Sequence, residues 1–324
     1  FRIWVGHPDL ARKYWLKIDD FLVGDYSPGP SGISVRLVSP LQYVLLPIPA
    51  HSGGSRTPKE YDGQTLLQVF DDIINVQCAV PTRYRGNALC GSTQGITSVT
   101  KTVSVETQAI DVLRQINWLN GSALISSQGV FKTVPLFSDL PLDPKTQAFF
   151  EYDDIAVEST DTGFDRRVTT FDVPYGWDGN KYAGEKQATP GATVLARLGN
   201  TAFAQATQLD DGTARWIENT TNATTVGNRI VENFLAGLSQ VRFTSSTARP
   251  WLEPGDTCVI EQDIYVGIDP RSGRALRGRG WSKAMVTQCH DIMGHEFTVW
   301  VPSWFDTIAS TTAFSWNSNM TPGG

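Results

Sequence analysis

Two histidines flank a short turn near the end of the chain. His290 and His295 lie five residues apart, and Cys289 and Asp291 stand beside the first of them. Histidine, cysteine and aspartate are side chains that bind zinc and other transition metals. However, residues 291–294 separate two apolar segments and are typical of a hairpin tip. We therefore favour a polar turn over a metal centre and assign no metal ligand.

Paired carboxylates are the second group that could do chemistry. A glycosidase needs two carboxyl groups about 5–10 Å apart across the sugar, whereas adjacent acids are more typical of solvated turns. The sequence has no nucleophile elbow, P-loop or dinucleotide-binding motif. We therefore predict a protein that is not an enzyme, with no catalytic residue and no cofactor. The pairs are Asp19-Asp20, Asp71-Asp72, Asp153-Asp154 and Asp210-Asp211.

Four cysteines occur in 324 residues, and none forms a Cys-x-x-Cys pair. Two disulfides are one reading of this number, but so few cysteines do not form a disulfide scaffold. We predict free, buried thiols at Cys78, Cys90, Cys258 and Cys289.

A basic segment carries four arginines within nine residues, interleaved with glycines. This composition predicts a flexible hairpin loop between strands. Such a loop is either solvated or contacts an acidic neighbouring subunit or nucleic acid. The candidate subunit-contact residues are Arg271, Arg274, Arg277 and Arg279.

The charge of the chain is unevenly distributed. The net charge is −6, from 33 acidic and 27 basic residues, which disfavours free nucleic-acid binding. Residues 138–184 hold ten acids against four basic side chains. The longest apolar runs are far shorter than the roughly 18 residues that a membrane span needs, so we expect no stable membrane insertion. Because the chain begins at Phe1, we expect that residues precede it in the natural protein.

Most of the sequence predicts β-strands that are punctuated by glycine and proline. Three amphipathic helices are predicted over residues 64–77, 108–119 and 225–238. Asp62 is the expected N-cap of the first helix and Thr107 that of the second, and Gly121 is expected to end the second. Residues 304–324 lose periodicity and are predicted to be a terminal extension.

Three segments, in this order, resemble the tail hub proteins of tailed bacteriophages. The first is AIDVLRQINWLNG at 109–121, followed by ALI at 123–125 and GVFKTVP at 129–135. The second is FEYDDI at 150–155, followed by Glu158-Ser159 and by RRVTTFDVPY at 166–175. The third is ARPWLEPGDTCVI at 248–260, in which Pro254-Gly255 forms a tight turn before a strand. The resemblance covers residues 1–303.

This resemblance implies an α+β, mainly β fold, with two small β-barrel domains that are each paired with an α/β domain. The implied domains are a first barrel at 1–56, an α/β domain at 57–137, a second barrel formed by 138–184 and 249–303, an inserted α/β domain at 185–248, and a C-terminal extension at 304–324.

The resemblance also implies a function. Tail hubs form homotrimeric rings that close the distal end of the tail tube, and this position places the protein in the virion. The implied partners are the distal tail protein, the tail tube and tape measure proteins and the tip or fibre proteins, with transient passage of genomic DNA. Only about twenty residues follow the last predicted strand, so we expect no lytic module.

An alternative function is a carbohydrate-binding or glycan-cleaving receptor-binding tail protein, for which a concave aromatic cleft with convergent acids would be the mark. In a ring, the acidic segment would either face the lumen, where it would repel DNA phosphates, or form a solvated outer face. The candidate lumen-facing acids are Asp153, Asp154, Glu158 and Asp161.

Overall fold

The chain is mainly β with few helices, as the sequence predicts. The computed structural model describes residues 2–6, 8–48, 57–86, 96, 98–104, 106–127, 129–135, 148–161, 168–189, 205–234, 238–268, 275–290 and 294–302. The strands are β1 Arg2–Val5, β2 Leu16–Asp20, β3 Leu22–Gly29, β4 Gly32–Val38, β5 Pro47–Ile48, β6 Lys59–Gln64, β7 Val99–Val103, β8 Thr107–Gln108, β9 Ser122–Ser127, β10 Val130–Pro135, β11 Ala148–Phe150, β12 Ile155–Asp161, β13 Val168–Trp177, β14 Tyr182–Ala188, β15 Gln205–Gln208, β16 Leu238–Ser245, β17 Thr257–Ile268, β18 Ala275–Cys289 and β19 Glu296–Pro302. The α-helices are α1 Leu66–Asp71, α2 Ala109–Asn120, α3 Asp211–Ala214 and α4 Thr220–Phe234. Helix α1 continues as a π-helix over Asp72–Gln77, and the 3₁₀ turns are Arg12–Tyr14, Pro40–Leu45, Thr82–Tyr84 and Tyr152–Asp154.

The helix ends agree with the predictions only in part. Gly121 ends α2 in the left-handed conformation, with φ 69°, as predicted. The N-cap of α1 is Thr65 rather than Asp62. The Thr65 hydroxyl accepts the amide N–H of Gln68, and the Gln68 side chain accepts the N–H of Thr65. This reciprocal capping box satisfies two otherwise unpaired donors.

The other two predicted helix boundaries shift. Thr107 lies in β8, and the N-cap of α2 is Gln108, which makes no side-chain capping bond. Helix α4 begins at Thr220, five residues before the predicted start, where the Asn219 side chain accepts the N–H of Asn222. It ends at Phe234, and residues from Leu238 belong to strand β16.

The largest sheet has six strands in the order β11-β17-β18-β19-β16-β12. Its two outer strands, β11 and β12, are joined by only the four residues 151–154. A flat sheet of six strands would separate its edges by about 24 Å, whereas this connection spans at most about 17 Å when fully extended. The sheet is therefore strongly curved, and its concave face holds a core of its own that includes Phe150, Phe243 and Phe297.

A second core joins parts of the chain that are far apart in sequence. It contains side chains of residues 44–131 and of residues 171–231. The rings of Tyr61 and Trp216 lie 5.9 Å apart within it. The buried Arg229 of α4 donates to the carbonyl oxygens of Trp118 and Leu119 in the last turn of α2, where helix carbonyls need partners. The two predicted α/β domains thus share one core.

Gly121 has a second role at this junction. A Cβ atom at Gly121 would lie 2.9 Å from the Nε atom of Arg229. The position therefore requires glycine twice, once for its positive φ and once for the close approach of the arginine.

The first 48 residues form small sheets. Strands β1 and β2 form one pair, strands β3 and β4 form another, and β5 pairs with β8 of the following segment. Pairing among the described residues does not join these strands into a single sheet. The predicted boundary at 56/57 therefore separates two strands that pair, since β5 lies before it and β8 after it.

Strand pairing crosses the boundaries that the sequence predicts for the insertion. Strand β16, which the sequence assigns to the inserted domain at 185–248, pairs with β12 and β19 in the six-stranded sheet. Strand β13 and the start of β14, assigned to the second barrel, form a three-stranded sheet with β15. The segment that interrupts the six-stranded sheet therefore runs from β13 to the end of α4. Residues 304–324 lie outside the described residues.

Candidate functional site

The predicted lumen-facing acids lie along the edge strand of the curved sheet. Asp153 and Asp154 form part of the 3₁₀ turn that connects β11 to β12, and Asp153 is exposed. Asp154 accepts the Ser246 hydroxyl at 3.1 Å, and its carbonyl accepts the Ser246 N–H. Asp161 ends β12 and is half-buried.

Glu158 forms an ion pair with Arg242 of the neighbouring strand β16. Its carboxylate lies 2.9 Å from Nε of Arg242 and accepts the Thr244 hydroxyl at 2.7 Å. Arg242 also binds Glu296, so one cation neutralises part of two carboxylates on this surface. The structure thus places the four predicted acids on one edge, and their position relative to a lumen stays a prediction.

The described part of the basic segment, from Ala275 onward, forms strand β18. Arg277 and Arg279 lie in β18, opposite Tyr265 and Asp263 of β17, and not in a loop as the interleaved glycines suggest. Arg271 and Arg274 lie outside the described residues. Contact of this segment with another subunit stays a prediction.

The two histidines lie at the end of the β18–β19 hairpin and make separate local contacts. A ring nitrogen of His290 lies 2.7 Å from the Thr298 hydroxyl, and one of His295 lies 3.1 Å from the Ser245 carbonyl oxygen. In the part of the chain that the structure describes, there is no group of three histidine, cysteine or carboxylate side chains that could hold a metal ion.

The cysteines are separate thiols where they are described. Cys78 and Cys258 are buried and Cys289 is half-buried, and in the described part of the chain none of the three forms a disulfide. The Cys289 thiol donates to the Leu252 carbonyl oxygen at 3.2 Å. Burial raises the pKa of the Cys78 thiol to about 11, which disfavours the reactive thiolate. Cys90 lies outside the described residues.

A polar cleft of about 510 Å³ lies where strand β7 and helix α2 meet helix α3. Lys101 of β7 extends along its inner wall. The Lys101 ammonium donates to Gln115 Oε1 at 2.9 Å and to the Gly212 carbonyl oxygen at 2.6 Å, and it lies 4.8 Å from the Trp216 ring centre. Burial lowers the pKa of Lys101 to about 8. The lysine thus connects the first part of the chain to the inserted segment.

The outer wall of the cleft is a network around Asp211. Its carboxylate accepts the Tyr182 hydroxyl at 2.7 Å and pairs with Arg215 at 2.6 Å. The Arg215 guanidinium also stacks on Trp177, 4.3 Å from the ring centre. The Asp178 carboxylate accepts the N–H groups of Asn180 and Lys181, both at 2.8 Å.

These contacts limit what the cleft can do chemically. The hydrogen bond from Tyr182 lowers the pKa of Asp211, and the bond from the Lys181 N–H lowers that of Asp178. Both carboxyl groups are therefore ionised, whereas glycoside hydrolysis needs one protonated carboxyl group as acid. Arg215 also covers one face of Trp177, the surface on which a sugar ring would stack. The cleft supports a structural junction better than it supports a glycan site.

Sequence reasoning missed this junction, although one signal was present. Val99, Lys101 and Val103 share one face of an alternating strand, and both valines are fully or almost fully buried. A lysine between two buried positions of the same face must itself be largely buried and must find acceptors. Its acceptor Gly212 lies more than a hundred residues later and could not be identified from the pattern.

None of the helices in the described segments is long and apolar enough to cross a membrane. Neither a protein-family model nor a curated protein sequence matches the chain.

Several solved tail proteins, two of them from prophages, are similar to this chain. The prophage tail protein gp18 from Listeria monocytogenes EGD-e is 11% identical, with a TM-score of 0.49 over 91% of this chain and 81% of its own. A tail protein from Neisseria meningitidis MC58 is 9% identical, with a TM-score of 0.45 over 90% of this chain and 83% of its own. The 43 kDa tail protein of prophage MuSo2 from Shewanella oneidensis is 14% identical, with a TM-score of 0.44 over 89% and 78%.

Proposed function

We propose that this protein is a structural tail hub of a tailed bacteriophage. In this proposal, three copies form a ring that closes the distal tail tube. The ring connects the tube and tape measure proteins to the distal tail protein and to the tip or fibre proteins, and genomic DNA passes through its lumen. The protein carries out no catalysis in this role.

One observation carries the proposal, namely the interruption of the curved sheet. The chain leaves the curved sheet at the end of β12, at Asp161, and returns to it at the start of β16, at Leu238. Between them lie the three-stranded sheet β14-β13-β15 and helix α4. A barrel domain with an α/β domain inserted into it is the arrangement that the sequence resemblance implies for residues 138–303. The interruption supports that arrangement, with the insertion at about 168–234.

Assembly into a ring is supported by the hairpin β3–β4. Isolated two-stranded hairpins are marginally stable in water, and this one exposes apolar side chains over most of its length. The exposed fractions of Val23, Tyr26 and Ile33 are 56%, 68% and 69%. Exposed apolar surface and unpaired strand edges of this kind favour association with another chain. We propose that a neighbouring copy covers this hairpin and completes the first barrel.

The acidic edge strand gives the ring its second property. A threefold arrangement would repeat Asp153, Asp154 and Asp161 around the axis, with Glu158 partly neutralised by Arg242. Acids that lie within about 8 Å of a passing duplex repel its phosphates at physiological salt. We therefore propose that this edge faces the lumen and keeps DNA from adhering during its passage.

The test of the hub function is the symmetry of the assembled protein. We expect light scattering of the purified chain to give a trimer, or a reconstruction of the virion tail to place it in a threefold ring with an open lumen. A stable monomer that is also absent from threefold density at the tail tip would overturn the proposal. Binding of a monomer to host polysaccharide would instead favour a receptor-binding role.

The orientation of the acidic edge has its own test. Ring protein with Asp153→Lys and Asp154→Lys should retain a short DNA duplex at physiological salt, whereas the unchanged ring should not. Glu185→Lys on the inserted segment is the matched control, since Glu185 is exposed on β14. If the control ring retains DNA equally well, the edge does not face the lumen, although the hub function can still hold.

A further inference from the structure

An apolar groove of about 340 Å³ lies between the first part of the chain and the curved sheet. Helix α2 and strands β9 and β10 form one wall, and strands β18 and β19 form the other. Buried and half-buried apolar side chains line it from both sides, with Asn117, Ser122 and Thr287 among the few polar residues. The apolar lining includes Trp118, Leu124, Ile125, Val134, Met285 and Trp300.

Two contacts hold the walls of this groove in a fixed position. The Lys132 ammonium of β10 lies 2.6 Å from the Glu253 carboxylate in the turn before β17. In the same turn, a Cβ atom at Gly255 would lie 2.6 Å from the nearest atom of Val134, so the turn packs directly on β10. A groove with fixed walls is a preformed binding surface, which lowers the entropy cost of binding an apolar segment.

The chain itself supplies a segment with matching chemistry. Strand β19 ends at Pro302, two residues after Trp300, which lines the groove. The following 22 residues contain four aromatic side chains, Trp304, Phe305, Phe314 and Trp316, and a single charged one, Asp306. Arg114 is the charged residue among those that line the groove, and its side chain is 71% exposed. The composition, the starting point and the charge of this segment all fit the groove.

We propose that residues 303–316 dock into the apolar groove of their own chain. Each extended residue adds up to about 3.5 Å of reach, so a segment that leaves β19 needs only a few residues to place an aromatic ring against Trp300. Covalent attachment makes the binding intramolecular and gives the segment a high effective concentration at the groove. At the mouth of the groove, Asp306 of the docked segment pairs with Arg114. This docking would cover the junction between α2 and the curved sheet, and it does not depend on the hub function.

Photocrosslinking in the 324-residue chain tests the proposal. Benzoylphenylalanine in place of Trp118, which lines the groove, should crosslink to a peptide within residues 303–316, and the product should keep the mass of a single chain. Position 125 offers a second site inside the groove. Position 76 is the control, because Val76 does not line the groove and is 64% exposed. A probe at this position should give no crosslink to residues 303–316. A product of twice the mass, or the absence of a crosslink to 303–316 from both positions, would overturn the proposal.

Hydrogen exchange gives an independent readout. A chain that ends at Pro302 should exchange amide hydrogens in β9 and β10 at least tenfold faster than the 324-residue chain, while β14 should be unaffected. A synthetic peptide of residues 303–316 added in excess should restore the protection. Equal exchange in the two proteins, or faster exchange that the peptide does not reverse, would show that the groove is not the docking site.

Discussion

The rings of Phe150 and Phe243 lie 4.9 Å apart in an edge-to-face contact, although their strands are four positions apart in the six-stranded sheet. In a flat sheet, four strand spacings would separate β11 and β16 by about 19 Å. The contact is therefore possible only because the sheet curves around these rings. Phe297 lies 5.4 Å from Phe150 and 5.8 Å from Phe243 and completes the aromatic cluster.

Replacement of Phe150 should be among the most damaging single changes in this sheet. Phe150 is fully buried, and Phe150→Ala should lower the free energy of unfolding by about 3–5 kcal/mol, because it leaves a cavity at the centre of the cluster. The adjacent Phe149 is 43% exposed, so Phe149→Ala should cost roughly 1 kcal/mol or less. Urea unfolding of both variants checks the difference, and equal losses would contradict a closed aromatic core.

The N-cap of α1 gives a second prediction. Thr65→Ala removes the acceptor of the Gln68 N–H and should lower the free energy of unfolding by about 1 kcal/mol. Asp62→Ala is the matched control, since Asp62 accepts the exposed Thr100 hydroxyl and caps no helix, and its cost should be only a few tenths of that. Thermal unfolding of the two variants distinguishes them. A larger loss of unfolding free energy for Asp62→Ala would instead identify Asp62 as the N-cap, as the sequence pattern suggests.

Lys101 predicts a pH dependence of stability with a definite sign. Burial lowers its pKa from the ordinary lysine value of 10.5 to about 8 in the folded protein. Between these values the unfolded chain binds more protons, so the contribution of Lys101 to stability rises with pH. The difference in free energy of unfolding between the unchanged protein and Lys101→Met should therefore increase from about pH 8 to about pH 10.5.

Other groups, Tyr61 and Cys78 among them, act in the opposite direction over this range. Burial raises the pKa of Tyr61 and of Cys78, so the folded protein retains these protons to a higher pH than the unfolded chain does. The stabilisation that each group contributes is therefore lost as the pH rises. Both groups are the same in the unchanged protein and in the variant, and their effects cancel in the difference. Lys186→Met, at an exposed position on β14, is the control for the loss of a lysine side chain. A flat difference for Lys101→Met would mean that its ammonium is solvated.

The hairpin β3–β4 should be needed for assembly and not for folding. A double variant with Tyr26→Ser and Ile33→Ser should weaken self-association by roughly thirtyfold, equivalent to about 2 kcal/mol. Its unfolding midpoint as a monomer should stay unchanged, because both side chains are mostly exposed. Analytical ultracentrifugation measures the association, with Val76→Ser as a control at another exposed apolar site. Unchanged association would place the subunit contact elsewhere.

Local patterns predicted the elements that local chemistry determines. Strands such as β4 and β10 follow from alternation, and the end of α2 follows from Gly121, since a left-handed residue is needed there. The N-cap of α1 was wrong because Asp62 lies inside strand β6. The Thr65–Gln68 pair, three residues apart, was the relevant signal for that helix start.

Long-range pairing explains most of what the sequence could not predict. Strand β16 follows α4 closely, so continuity along the chain assigned it to the insertion. Its partners β12 and β19 lie tens of residues away on either side, and no local property of residues 238–245 identifies them. The burial of Lys101 depends on α3 in the same way, because the acceptor at Gly212 is supplied by the fold and not by the strand.

The position of β11 and β12 at the two edges of one sheet sets an order for folding during synthesis. Both strands leave the ribosome early, but all of their partners in the sheet come from residues 238–302, which follow after the whole insertion. At 5–20 residues per second, the ribosome needs roughly 4–15 s to advance from the end of β12 to the start of β16. The core shared by residues 44–131 and 171–231 is complete before then. A nascent chain therefore carries one finished core while the exposed Val157 and the unpaired edge of β12 stay open to chaperones or to other nascent chains.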